Sequence, residues 1–171
     1  RYTKKGDWIL DPFTGGGTSL IEAQRLGRNA IGIELQEYVA KSAHSLVEQE
    51  KTKDFKGTII VGDSRTANIE DCLHHFGIDK VQFVIYHPPY WDIIKFSDNE
   101  KDLSNCNSIE EFNQSFGEII DNTSKYLEKN RYCACVIGDK YANSEIVPLG
   151  FYCMNLFLSR GFKLKAILVK N

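Results

Sequence analysis

The tetrapeptide His87-Pro88-Pro89-Tyr90 closes an apolar run and lies downstream of a second signal, Asp11-Pro12-Phe13-Thr14-Gly15-Gly16-Gly17-Thr18. Proline fixes φ, so two prolines at a strand end aim backbone carbonyls in set directions. The aromatic ring after them offers a face to a flat substrate. The glycine segment reads as a turn between a strand and a helix. Glycines there permit positive φ and let a ligand touch bare backbone, and the helix that follows presents unpaired N–H groups. Such a turn suits a nucleotide-like cofactor. Its spacing is neither that of a dinucleotide loop nor that of a Walker loop, which needs Gly-Lys-Ser/Thr. Taken alone, the glycines also read as a packing turn, and the tetrapeptide as a proline turn with an aromatic core residue.

Two further acids sharpen the first reading. Glu34 ends the run Ile31-Gly32-Ile33-Glu34, where a carboxylate is suited to accept ribose hydroxyls. Asp63 ends Val61-Gly62-Asp63-Ser64 and is suited to accept from an adenine amino group. Singly, each also reads as a strand-end charge or a turn residue. Three acids (Asp11, Glu34 and Asp63) at three successive strand ends point to one shared ligand.

The elements that must position these residues follow from periodicity. Short apolar runs alternate with amphipathic stretches, which predicts an α/β fold with a doubly wound, mostly parallel sheet. Strands are predicted at residues 8–10, 30–33, 58–61, 81–86, 132–137 and 162–169. Helices are predicted at 18–26, stopped by Gly27, and at 36 to about 51, with Val39, Ala43 and Leu46 inward. A long helix runs from a Ser108 N-cap to about 129, with Glu111 completing a capping box, and another spans 146–160. Residues 91–107 are polar and aperiodic and read as a mobile substrate-side loop carrying Trp91 and Phe96. Ligands of such sheets bind beyond the carboxyl ends of the strands, near the topological switch point, where all the polar residues named above lie.

Composition narrows the class. The 171 residues, 42% hydrophobic and 26% charged, suit one soluble domain with a substantial core. The start, Arg1-Tyr2-Thr3-Lys4-Lys5-Gly6-Asp7, lacks the apolar stretch of a signal peptide, and no run is long enough to span a membrane. Five cysteines form no CxxC pair, which favours buried thiols over a metal site and fits a reducing cytoplasm. The net charge of −2 lacks the basic excess of a free-standing DNA-binding domain. The absent initiator Met reads as a piece of a longer chain.

On these segments the chain resembles the S-adenosylmethionine-dependent methyltransferases that modify the exocyclic amino group of adenine or cytosine in DNA. Beyond Asp11 to Thr18 and Pro88 to Tyr90, the likeness extends through Trp91-Asp92-Ile93-Ile94-Lys95-Phe96-Ser97-Asp98. It continues in Val136-Ile137-Gly138-Asp139-Lys140, Val147-Pro148-Leu149 and Gly161-Phe162, so it covers nearly the whole sequence. It implies a Rossmann-like class I methyltransferase fold as one catalytic domain over residues 1–171. It also implies S-adenosylmethionine as cofactor and DNA as partner, with no metal and no membrane.

By that resemblance Asp11, Pro12, Phe13, Thr14, Gly15, Gly17 and Thr18 cradle the methionine portion, with Phe13 near the sulfonium. Glu34 then binds ribose, and Asp63 with Ser64 binds adenine. His87, Pro88, Pro89 and Tyr90 become the catalytic segment, and Tyr90 and Trp91 contact a base flipped from the helix. An amino nitrogen conjugated to a base ring is a poor nucleophile. The family pulls on its two protons with a side-chain acceptor from the first motif residue and the carbonyl of the next proline, which orients the lone pair.

That first residue is normally Asp, Asn or Ser, and here it is His87. A neutral imidazole accepts one hydrogen bond but is larger and loses that capacity on protonation. The resemblance therefore implies a DNA methyltransferase, as in a restriction–modification system. An RNA or protein amide methyltransferase, or a methyltransferase-like binding subunit with weakened catalysis, remains open beside it. The family's additional cofactor segment, target recognition region and seventh strand are missing. That implies truncation at both ends, with target recognition supplied by absent segments or by another subunit.

Overall fold

The computed structural model describes residues 2–169. Strands β1 (Trp8–Asp11), β2 (Asn29–Glu34), β3 (Gly57–Val61), β4 (Val81–Tyr86) and β5 (Leu127–Cys135) form one sheet in the order β3-β2-β1-β4-β5. Every pairing in it is parallel. Helices α1 (Thr18–Arg25), α2 (Glu37–Gln49), α3 (Ile69–His75) and α4 (Ile109–Ser124) make the crossovers between successive strands, and α5 (Leu149–Leu158) joins them in flanking the sheet. A small antiparallel hairpin, β6 (Lys140–Ala142) with β7 (Glu145–Val147), separates β5 from α5.

Two apolar cores lie on the sheet's two faces. Leu20 and Ala23 of α1 and Val47 of α2 pack with Ala30 and Phe55 on one. On the other, Ile69 and Leu73 of α3, Phe112, Phe116 and Ile120 of α4 and Cys153 and Phe157 of α5 cover Leu10, Val84 and Tyr86. Burying a side chain the size of Phe116 contributes about 1.5–3 kcal/mol. The sheet order reverses at β1, because β2 and β3 lie to one side and β4 and β5 to the other. That is the topological switch point, and the loops after β1 and β4 open there.

Gly27 stops α1 as predicted, with φ +74°, its N–H bonding to the Gln24 carbonyl and that of Arg28 to Ala23. The inward face of α2 is Ala40, Ala43 and Val47, while Leu46 is exposed. Ser108 caps α4 by accepting from the Glu111 N–H at 3.2 Å, but the Glu111 carboxylate reaches back to Asn107 rather than to Ser108. The helix α4 ends five residues early, and β5 starts at Leu127 through the polar stretch Glu128 to Arg131. Its register shifts opposite Val81 to Phe83, with Asn130 at φ +63°, so no alternating pattern betrays this edge strand.

Residue 146 does not begin a helix. Asn143 and Ser144 both adopt left-handed φ (+53° and +64°), the backbone of a two-residue hairpin turn. Ile146 therefore pairs with Tyr141, and the helix waits for Pro148. The predicted strand at 162–169 is absent. A strand exists only by pairing, and these residues carry Leu164, Ile167, Leu168 and Val169 exposed and unpaired in the sheet. Helix α3 lies in a stretch where no element was predicted. Its signals are an Asn68 cap accepting from Asp71 and a Gly77 stop at φ +70°.

Gly32 is the residue that lets the first loop lie against the sheet. A Cβ at Gly32 would fall 2.1 Å from Thr14 Oγ1, inside β2 where the strand is paired on both sides. Gly16 has open space around the corresponding position. Gly32→Ala is expected to cost about 1–3 kcal/mol in urea unfolding, as overpacked cores do, and Gly16→Ala much less. Equal midpoints for the two variants would contradict that difference.

Candidate active site

The loop after β1 is organised by a buried acid. Asp11 is almost fully enclosed and accepts from the Phe13 N–H at 2.9 Å and from the Ser19 hydroxyl. Burial pushes its carboxyl above the usual range, and the Ser19 and Phe13 bonds pull the other way. Thr14 folds back, its hydroxyl on the Asp11 carbonyl and its N–H on the Ile33 carbonyl at 3.0 Å. Gly15 (φ +50°) and Gly17 (φ +83°) take the left-handed backbone that glycine tolerates. Gly17 sits tightly against Ala43 and Val47 of α2.

Glu34 joins this loop to the next element. One carboxylate oxygen accepts the Gly15 N–H and the other the Gln36 N–H, both at 2.9 Å. Each oxygen keeps further acceptor capacity. Asp63 at the end of β3 also faces the opening but is paired with Arg65, at 2.8 Å to Nη2 and with Nε on both oxygens. Ser64 donates to the Pro12 carbonyl at 2.6 Å, tying the end of β3 to the first loop.

Across the switch point, Tyr86 anchors the end of β4. It is fully buried, with its hydroxyl 2.8 Å from Thr123 Oγ1, and burial pushes its phenol upward. The chain then leaves the sheet. Pro88 is buried, His87 is exposed, and His87 Nε2 lies 3.1 Å from the Tyr90 hydroxyl. Tyr90 packs against Gly138, where a Cβ would stand 2.9 Å from its ring.

These two loops line one cleft of about 660 Å³. Its walls include Pro12, Phe13, Gly15 and Gly16 from the first loop, Glu34, Asp63 and Ser64 from the next two strand ends, and His87, Pro88, Pro89 and Tyr90 from the fourth. Five of the residues singled out in the sequence lie off its wall. Asp11, Thr14 and Gly17 shape the turn from behind, Thr18 is exposed on α1, and Trp91 is turned away to hydrogen-bond the Cys106 carbonyl at 2.9 Å.

Phe96 lies on the cleft wall, on the substrate side where the sequence placed it, but the rest of the outer wall was missed: Tyr38 of α2, and Ile93 and Ile94, about half exposed like Phe96, also line the cleft. Their segment is tethered rather than free. Two short 3-10 turns (Trp91–Ile93 and Leu103–Asn105) frame it, Leu103 and Ser104 are buried, and Phe96 N–H donates to Ser104 Oγ. Arg65 and Ser19 were also missed. Gly32 was missed too, although a glycine inside a strand pattern is a signal for close approach of another chain segment.

The donor set fits a nucleoside cofactor: a carboxylate with spare acceptor capacity at Glu34, open backbone at Gly15 and Gly16, and an aromatic wall at Phe13. No group of three His, Cys, Asp or Glu among the described residues is placed to hold a metal. No helix among them is long and apolar enough to cross a membrane.

Known structures share this architecture. A TehB-like methyltransferase from Corynebacterium glutamicum superposes with a TM-score of 0.58 at 15% identity, covering 95% of this chain and 69% of that one. A precorrin-6y C5,15-methyltransferase from Geobacter metallireducens gives 0.59 at 10% identity, covering 94% and 66%. The fold is that of the S-adenosylmethionine-dependent methyltransferases.

Sequence similarity is more local. A family model described as DNA methylase matches residues 1–45. The Type II methyltransferase M2.DpnII of Streptococcus pneumoniae is 50% identical over 48 residues, 28% of this chain and 18% of that protein. A tRNA (guanine(10)-N2)-dimethyltransferase of Methanocaldococcus jannaschii is 32% identical over 87 residues, 51% of this chain and 24% of that protein. This chain thus accounts for a quarter or less of the length of either curated relative.

The state of Asp11 has a pH signature. A raised folded pKa means that the native state holds the proton more tightly than the unfolded chain does. The resulting stability is complete below the unfolded value, near 3.8, and is lost as pH rises through the folded value. Asp11→Asn keeps an acceptor for Phe13 and removes the titration. Its stability relative to wild type is expected to rise with pH across that window in urea titrations. A difference independent of pH would show that Asp11 ionises in the fold as freely as in the open chain.

Proposed function

We propose that this chain transfers a methyl group from S-adenosylmethionine to the exocyclic amino nitrogen of adenine or cytosine in DNA. The observation that carries the proposal is the meeting of the glycine loop and the His87–Tyr90 segment in one cleft at the switch point. Glu34 would take the ribose hydroxyls, Asp63 and Ser64 the adenine, and Phe13 to Gly17 the methionine portion. When bound, the cofactor supplies an electrophilic methyl on sulfur. The protein's own part is to hold and orient the amine. The Pro88 carbonyl accepts one amino proton and the first motif side chain the other, while Tyr90 bears on the base plane.

His87 performs that role under a constraint. Its Nε2 is already engaged with the Tyr90 hydroxyl, so only Nδ1 remains for the amine. Nδ1 accepts only when Nε2 carries the ring proton and donates to Tyr90. In the other tautomer Nδ1 is a donor facing a donor. Asn or Asp presents an acceptor oxygen without that dependence.

A second reading is methylation of a guanine amino group in RNA, favoured by the 87-residue similarity to a tRNA methyltransferase. It uses the same acceptors on a different base. Single-turnover transfer of labelled methyl to duplex DNA, tRNA and protein separates the readings. Label is expected in DNA, and His87→Asn or His87→Asp is expected to raise the rate at least roughly tenfold, about 1.4 kcal/mol of barrier. Label in tRNA alone would replace the first reading with the second. A wild-type chain faster than both variants would make His87 an adapted acceptor.

A further inference from the structure

The segment Gly138-Asp139-Lys140 follows β5 and opens the β6–β7 hairpin, and nothing in the cleft chemistry above uses it. It nevertheless grips the turn that follows the Pro-Pro pair, at three consecutive residues. Tyr90 lies on Gly138, so closely that any side chain there would meet its ring. Lys140 Nζ stands 4.5 Å from the centre of the Trp91 ring. The same ammonium is 2.5 Å from Asp92 Oδ1.

Trp91 has a reason to need holding. Its φ is +50°, in the left-handed region where a bulky side chain is a backbone outlier. Such strain persists only where the surroundings over-determine it, and it gathers at functional sites. Here the indole N–H is fixed on the Cys106 carbonyl at 2.9 Å, and the ring is covered by a cation. Lys140 is itself mostly buried, with its side chain 19% exposed, so the interaction is partly desolvated. One ammonium thus satisfies a ring and a carboxylate on adjacent residues of a strained turn. The residues on the N-terminal side of that turn are Pro89 and Tyr90, which line the cleft.

We propose that Lys140 is a positioning residue that clamps the Trp91–Asp92 turn and thereby sets the Tyr90 ring and the proline carbonyls toward the base. This rests on the reading of the cleft as an amino-methyltransferase site. The hairpin supplies the clamp's rigidity, since Lys140 is bonded in register with Val147 across a two-residue turn. Without the cation, Trp91 loses its cover, Asp92 loses its partner, and the turn can relax toward ordinary backbone. Geometry at the amine then degrades while the cofactor side, built on β1 to β3, is untouched.

The test compares Lys140→Met, which keeps much of the apolar stem, with Lys140→Arg, which keeps the charge and brings a planar cation able to stack on the ring and pair with the carboxylate. Lys140→Met is expected to lower kcat for methyl transfer roughly tenfold, with the KM for S-adenosylmethionine within about twofold of wild type, as misplacement without lost binding would do. Lys140→Arg is expected to recover most of the rate. Unchanged kcat in Lys140→Met, or an arginine variant as slow as the methionine one, overturns the proposal. If Lys140→Met fails to fold, Asp92→Asn takes its place, and a wild-type kcat there is equally contrary.

Acrylamide quenching of tryptophan fluorescence gives a readout independent of activity, because Trp8 is buried and contributes a quiet background. Lys140→Met is expected to expose Trp91 to the quencher and Lys140→Arg is not. Should the wild-type chain transfer methyl to no substrate, the proposed function fails while the clamp is judged by quenching alone. Equal quenching in wild type and Lys140→Met then rejects it.

Discussion

Everything in the site depends on β1 being paired in parallel on both sides, with β2 and with β4. Parallel neighbours all point their carboxyl ends the same way, so the loops leaving β1, β2, β3 and β4 gather along one edge. The chain winds from β1 through α1 to one face and from β4 onward to the other, with a separate apolar core on each. Between two loops that leave in opposite directions there must be a crevice. The glycine turn and the His87–Tyr90 segment border it because of that pairing, not because they are close in sequence.

Within the crevice, backbone groups do most of the fastening and side chains most of the presenting. The Thr14 and Gly15 N–H groups reach the Ile33 carbonyl and the Glu34 carboxylate, which lashes the first loop across the end of β2. Ser64 does the same from β3 through the Pro12 carbonyl. Asp11 serves that scaffold from inside, a buried carboxylate whose two acceptor bonds fix the turn while its desolvation is unfavourable. The surface left over is a carboxylate at Glu34, an aromatic at Phe13, bare glycine backbone, and the proline carbonyls opposite. In the proposed reading, such a surface would meet a nucleoside on one side and a flat amine-bearing ring on the other.

Much of this is legible in the amino-acid sequence. Apolar runs ending in Asp11, Glu34, Asp63 and His87 located four sheet strands and their carboxyl ends, because a buried parallel strand is a local hydrophobic signal. The roles within the site were less legible. Asp11 and Glu34 look alike as strand-end acids, yet one is a scaffold and the other faces the cleft, and only the burial of each tells them apart. Asp63 carries a partner two residues away in Arg65, across the turn in which the Asp63 carbonyl accepts the Thr66 and Ala67 N–H groups. Trp91 was expected on the substrate side, but a left-handed φ turns its indole onto Cys106, and no single-sequence pattern announces a positive φ at tryptophan. The β6–β7 hairpin was hidden because Ile146 and the apolar stretch after it continue smoothly into α5, while the true stop, Asn143-Ser144, is a two-residue turn.

The formal charge of −2 leaves the nucleic-acid partner to be argued from the cleft and not from a basic field. The central claim is thus geometric: one ligand spans the switch point, with its ribose at the end of β2 and its reactive sulfur facing the end of β4. A crystal structure of the chain with S-adenosylhomocysteine tests it most directly. The ribose hydroxyls are expected on the Glu34 carboxylate and the sulfur directed toward the Pro88 carbonyl, with Phe13 alongside. A ligand seated away from Glu34, or one whose sulfur points away from the His87–Tyr90 segment, would contradict the assignment of the two loops to a single site.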